Sequence, residues 1–282
     1  MNKLTKIKES IFPPFALMCS FIGIILLLIF IGSIFIDGIS RIDIDFLSNL
    51  PSRYADKAGI LTSWTGTIWI MIFTALISIP VGIGAAIYME EYSAKNRFNT
   101  FLEINISNLA GVPSIIYGLL GLEIFVRLSQ LGNSVLAGSL TLSLLILPII
   151  IVATREAIKA VPNSIRLASY ALGSSKWDTV SNHVLPAASG GILTGIILAI
   201  SRAIGETAPL IAIGALAYVP FVPSSPMDEF SVLPIQIFNW TTRPQAEFLT
   251  NAAAAILILL AITFTLTGIA VYYRNKWQQK IG

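Results

Sequence analysis

Charge is what this sequence has least of. Asp, Glu, Lys and Arg make up 12% of its 282 residues, against roughly 25% in an average soluble domain. Apolar side chains make up 55%, and mean hydropathy is +0.79. A soluble core of this size could not hide that much apolar surface, so an ordinary cytosolic enzyme is excluded. Disorder is excluded too, because it needs low hydrophobicity and high charge. Cys19 is the one cysteine, so no disulfide framework exists within the chain. His183 is the one histidine and reads as a helix-surface residue. With no H-E-x-x-H, little is left for metal or thiol chemistry, which argues against a membrane-embedded enzyme. No G-x-x-x-x-G-K-[ST] is present to cradle nucleotide phosphates. No internal repeat or low-complexity linker divides the chain, so residues 1–282 read as one domain.

Long apolar runs are abundant instead. Crossing about 30 Å of hydrocarbon takes about 20 mostly apolar residues, and six runs qualify: about 15–36, 64–89, 104–126, 134–153, 187–218 and 251–273. Each is continuous rather than alternating, which excludes a β-barrel and predicts an all-α integral membrane protein with six transmembrane helices. Lys3, Lys6 and Lys8 give the first run the look of a signal peptide. It is too long for one and no small-residue cleavage site follows, so it reads as a retained anchor. Twelve Lys and Arg residues fall on one side of the membrane: the three above, Lys95, Arg97, Arg155, Lys159, Arg166, Lys176, Arg274, Lys276 and Lys280. Arg41, Arg53, Lys57, Arg127 and Arg243 fall on the other. The excess places both termini and the segment 155–186 in the cytoplasm of a plasma (inner) membrane protein. The outer loop at about 37–63 carries Asp37, Asp43, Asp45 and Asp56. The one at about 219–250 carries Pro220, Pro223, Pro226, Pro234 and Pro244, and is predicted to be ordered but non-helical.

Two places hold residues that packing alone does not call for. Arg202 stands near the midpoint of the run 187–218, with Glu206 one turn further on the same face. A charge at the centre of a lone helix costs about 2.5–3.5 kcal/mol on insertion scales, so the two must pair, face a wet cavity, or both. Arginine offers a planar fork of donors that fits a tetrahedral oxyanion. The pair either lines a path, with Thr207 beside it, or docks its helix against a neighbour. Gly205 and Pro209 flank Glu206 and favour an opened helix there. Glu123 and Arg127 form a second pair of the same spacing, read as structural. Gly111, Ser114, Gly118 and Gly121 put small residues along the third run, where close helix approach is the ordinary reason. The second place is the segment REAIKAVPNSIRLASYALGSSKWDTVSNHVLP, Arg155 to Pro186. Pro162 breaks it, Asn163 or Ser164 can cap a new helix, and Ile165, Leu167 and Leu172 give that helix an apolar side. Gly173 then punctuates it. It reads as a short helix on the cytoplasmic face, or as a plain amphipathic connector.

The spacing of that segment resembles a motif of bacterial ABC importer permeases: E-A-A, three residues, Gly, nine residues, then I-x-L-P. Leu167-Ala168-Ser169 occupies the E-A-A slot, Gly173 the glycine and His183-Val184-Leu185-Pro186 the end, with Leu167, Ser169 and His183 departing from the pattern. Further resemblance lies in Ala58-Gly59-Ile60-Leu61, Pro80-Val81-Gly82-Ile83-Gly84, Glu90-Glu91-Tyr92, Ala110-Gly111-Val112-Pro113-Ser114 and Arg202-Ala203-Ile204-Gly205-Glu206-Thr207-Ala208-Pro209. Together these resemble the phosphate-specific ABC transporter permeases of the PstA type, over about 58–273. The resemblance implies a type I importer permease fold with a cytoplasmic coupling loop, 155–186. In it Ala168, Ser169, Gly173, Ser174, Lys176, Leu185 and Pro186 would serve ATPase coupling, and Arg202, Glu206 and Thr207 the substrate path. It also implies no chemistry and no cofactor on this chain, ATP and Mg belonging to the ATPase. The implied partners are a second permease of the PstC type, an ATPase dimer of the PstB type, an extracytoplasmic phosphate-binding protein of the PstS type and inorganic phosphate within a lipid bilayer, with no nucleic acid. Competing readings are a permease for another oxyanion (sulfate, molybdate or phosphonate) and a proton-coupled secondary transporter using Glu206.

Overall fold

A computed structural model describes the backbone of residues 3–93, 96–215 and 218–281, and side chains within 12–276. Lys95 and the side chains of Lys3, Lys6, Lys8 and Lys280 lie outside the described residues. Within them the chain is helical, with no strand and one antiparallel bridge between Ser134 and Glu229. Five helices are long and apolar enough to cross a membrane. They are α1 (Lys3–Gly38), α3 (Leu61–Ile87), α6 (Val135–Lys159), α9 (Leu185–Ile204) and α12 (Glu247–Ile281). A π-helical turn, Tyr88–Tyr92, extends α3. Another, Val180–Val184, joins the short α8 (Lys176–Thr179) to α9 in one rod.

A sixth span exists only if a bent pair is counted as one. α4 (Arg97–Leu109) and the unit formed by α5 (Ser114–Gly121) and the π-helical Leu122–Leu128 meet at 104°. The single run expected at 104–126 is therefore broken. Pro113 has no N–H to give and disfavours helix in the residue before it, and the amides of Gly111 and Val112 close tight bonds to Asn108 and Leu109. The fifth run is corrected as well. Its helix stops at Ile204 rather than continuing to 218, and resumes as α10 (Ala208–Ala212). The remaining short helices are α2 (Ile44–Ser48), α7 (Asn163–Ala171) and α11 (Leu233–Thr241). α11 falls in the proline-rich loop expected to be non-helical. There Pro234 sits in the first turn, where its missing N–H costs no bond.

α6 is the central helix: two thirds of its apolar window is buried in the chain's own interior, against none for α1 at the rim. It packs on α3 through hydroxyls that bond across the seam, Ser139 Oγ to the Ile70 carbonyl and Ser143 Oγ to the Thr74 carbonyl, both at 3.3 Å. Small side chains bring α9 equally close. Gly191 lies against Ala157 and Gly195 against Ala153, the tight approach that packing in lipid favours. At the end formed by 37–63 and 219–250, Phe46, Ile60, Leu233, Trp240 and Phe248 make an apolar cluster against α12. The aspartates there are partly structural: Asp43 caps α2 by accepting from the Phe46 amide at 2.6 Å and pairs with Arg41 at 3.1 Å.

Candidate functional site

Why α9 ends at Ile204 follows from Pro209. It cannot donate to the Gly205 carbonyl, and its ring crowds that carbonyl. The amides of Gly205 and Glu206 tighten instead onto Arg202 and Ala203. Arg202 thus stands in the last turn of α9, Glu206 in the break and Thr207 just before α10. Following the Gly191–Ala157 and Gly195–Ala153 register, Arg202 is level with Ile146, beside the midpoint of α6. The buried cluster of Ile146, Ile150, Ala199 and Ala203 agrees with that level. That level is set by a helix that halts there rather than by one that runs on to 218.

Arg202 Nε donates to Glu206 Oε1 at 3.2 Å, and the guanidinium side chain is 43% exposed against 16% for Glu206. Its two terminal nitrogens make no hydrogen bond among the described residues. Ala187, Gly191, Leu198, Arg202 and Gly205 are exposed along one stripe of α9. α10 is held against α5, where Gly118 leaves room for Pro209 and Ala212. Tyr117, one residue earlier, is buried and donates to the Leu109 carbonyl at 2.7 Å, which closes the end of α4. Tyr117 stands in the stretch 110–119 that carries part of the family resemblance, but this hydrogen bond could not be read from it. Glu123 and Arg127 pair at 3.1 Å and are both well exposed.

The segment 155–186 places its expected residues unequally. α7 begins after Pro162 with no side-chain cap from Asn163 or Ser164, and Gly173 ends it at φ +85°, a conformation glycine adopts without strain. Ala168, Gly173 and Lys176 are exposed, and Ser174 is half-buried. Ser169 is buried and shares a 2.9 Å hydrogen bond with Thr179. Leu185 and Pro186 lie within the rod leading into α9, and Leu185 packs against an interior cluster. The outward surface is built instead by Leu167, Tyr170, Leu172 and Trp177, with Leu172 88% exposed. Leu167 and Leu172 lie on the apolar side expected of that helix, whose third member, Ile165, packs inward; Tyr170 and Trp177 are not part of it. His183 is exposed on the π-helical turn. Among the described residues no three His, Cys, Asp or Glu side chains gather as metal ligands.

The described residues form a sheaf of membrane-length helices with a guanidinium at a helix break and an apolar knob on an end loop. The chain belongs to the family described as binding-protein-dependent transport system inner membrane component, whose family model matches residues 78–278. It is a permease subunit of an ABC importer of the inner membrane, a kind that works with another permease, an ATPase and a periplasmic binding protein. It is 34% identical over 266 residues to the probable ABC transporter permease protein YqgI of Bacillus subtilis, covering 89% of this chain and 90% of that one. It is 33% identical over 228 residues to the phosphate transport system permease protein PstA of Haemophilus influenzae, covering 80% and 79%. Among solved structures, a bacterial ABC transporter that imports alginate matches with a TM-score of 0.68 at 12% identity, over 98% of this chain and 99% of that one. The MetNI methionine transporter matches with 0.56 at 15%, over 79% and 95%. These likenesses carry the fold alone.

Proposed function

We propose that the chain is the PstA-type permease of an importer for inorganic phosphate. It would form the path with a PstC-type permease, and be driven by a PstB-type ATPase dimer and fed by a PstS-type binding protein. Similarity to PstA proteins supports the substrate. The observation that carries it is Arg202: a guanidinium beside a helix break, held by Glu206 through Nε, with neither terminal nitrogen hydrogen-bonded among the described residues. That open fork matches two oxygens of a tetrahedral anion. Glu206 partly neutralises the charge, so an anion is admitted without being retained, as conduction requires. Both termini and the loop 155–186 face the cytoplasm in this reading, following the Lys and Arg asymmetry. The ATPase grips α7 through Leu167, Tyr170, Leu172 and Trp177, while Ala168, Gly173, Ser174 and Lys176 complete the outer contour. Ser169, Leu185 and Pro186 act from within, fixing α7 to the rod that leads into α9. ATP-driven closure then switches the two permeases between inward- and outward-facing states.

The test is phosphate uptake by the assembled transporter carrying Arg202→Gln. Loss of one charge-assisted hydrogen bond, about 1.5–3 kcal/mol, lowers uptake about tenfold or more. Arg202→Lys keeps the charge but not the fork, and recovers part of it. Unchanged uptake by Arg202→Gln removes Arg202 from the path.

A further inference from the structure

The end of α3 carries two consecutive carboxylates that reach different elements. In the π-helical turn after α3, Glu90 lies 3.5 Å from Arg155 on α6, whose guanidinium also meets Glu103 of α4 at 3.0 Å. Glu91 turns the other way, to Arg166 on α7. Arg166 Nε and Nη2 both donate to Glu91 Oε1, at 3.0 and 2.7 Å. The same guanidinium donates to the carbonyls of Val161 at 2.8 Å and Ile158 at 3.1 Å, at the end of α6. Both side chains are largely buried, 15% exposed for Arg166 and 7% for Glu91. One side chain of α7 therefore fastens that helix to the ends of both α3 and α6, and Ser169 fastens it to α8 and so to the α9 rod that carries Arg202.

Stability alone does not call for this arrangement. A buried ion pair gains little over apolar residues of similar volume, because desolvating both charges offsets their attraction. What ions and directed hydrogen bonds add is a fixed geometry. A greasy contact slides when α7 is pushed, whereas a guanidinium with four directed bonds to two other elements does not. We infer that Arg166 and Glu91 are positioning residues for transport, forming the rigid joint through which displacement of α7 is delivered to α3 and α6. This rests on reading α7 as the ATPase contact.

The test measures solute uptake and ATP hydrolysis on the same reconstituted transporter, with inorganic phosphate as the solute. Glu91→Gln and Arg166→Gln are expected to lower uptake about tenfold while hydrolysis stays within about twofold, so the ratio of solute moved to ATP consumed falls. A role in folding alone lowers both together and leaves that ratio unchanged. Glu91→Cys with Arg166→Cys, on a Cys19→Ser background, is then joined by a short bifunctional thiol reagent. The ratio recovers on cross-linking if a stiff joint is what was lost. An unchanged ratio in the two charge variants, or a cross-linked pair with a ratio no better than the open pair, overturns the inference. Leu172→Asp separates the two readings. It abolishes co-purification of the ATPase if α7 is the contact, and intact co-purification removes that premise whatever the ratio shows.

Discussion

Arg202 and Glu206 illustrate how little a charged side chain means until its surroundings are known. Their spacing predicts an ion pair from sequence, and the pair forms at 3.2 Å. What spacing cannot give is which nitrogens remain open, since that depends on the turn ending at Ile204 and on every neighbour of α9. Tyr117 and Gly118 show the same limit. Tyr117→Phe removes a buried donor from the Leu109 carbonyl, and is expected to cost about 1 kcal/mol, read as a lower unfolding midpoint in detergent. Gly118→Val is expected to cost more, about 1–3 kcal/mol of overpacking. Even a Cβ there would stand 2.6 Å from Pro209 Cα and 2.7 Å from Ala212 Cβ. If thermal unfolding of Gly118→Val matches the parent, α5 and α10 do not meet as described.

Among the elements, the breaks are the informative features. Pro113 and Pro209 end helices for the same covalent reason, yet the first produces a bend of 104° and the second a short helix packed on α5. At these two sites proline accompanies a break and the packing around it sets the direction, whereas Pro80 and Pro148 lie inside helices α3 and α6 that continue through them. Gly173 ends α7 at φ +85°. Gly173→Ala therefore strains the left-handed turn by about 1–2 kcal/mol, loosening the knob at Leu172 and weakening ATPase association in a co-purification assay. On the opposite end of the sheaf, Asp228 accepts from the Ser224 and Ser225 amides at 2.8 and 2.9 Å and from Ser224 Oγ at 3.0 Å. Those donors hold its carboxyl below the usual aspartate range. A carboxyl with a depressed folded value stabilises the turn at pH above its unfolded value, and that contribution fades as pH falls through the folded one. The turn should therefore keep its amide protection at pH 5 to 8 (roughly the usual range of maximal stability) and lose it only in strong acid. Hydrogen exchange at Ser224 and Ser225 that accelerates already near pH 6 would show the carboxyl is not so held.

As a whole molecule the chain is a permease subunit of an ABC importer. α1 buries none of its apolar window against the rest of the chain, and Leu198 and Arg202 stand exposed on one stripe of α9. Both surfaces call for lipid or another subunit. The purified chain alone in liposomes is accordingly expected to give no ATP-independent phosphate flux, and flux is expected to appear only with a second permease, the ATPase and ATP. Uptake by the lone chain that followed an imposed proton gradient would replace the importer with a secondary transporter working through Glu206.

Hydrophobic runs, the pair at Arg202 and Glu206, the break at Pro162 and the apolar Leu167 and Leu172 of α7 were legible from residues alone, because helix length, charge cost and proline geometry act locally along the chain. Where α9 stops, which way α5 turns, that Ser169 faces inward while Leu172 faces out, and that Glu91 meets Arg166 across 75 positions were decided only by the tertiary structure. Each depends on which surfaces press together in three dimensions, and periodicity along one helix carries no information about the helix that lies against it.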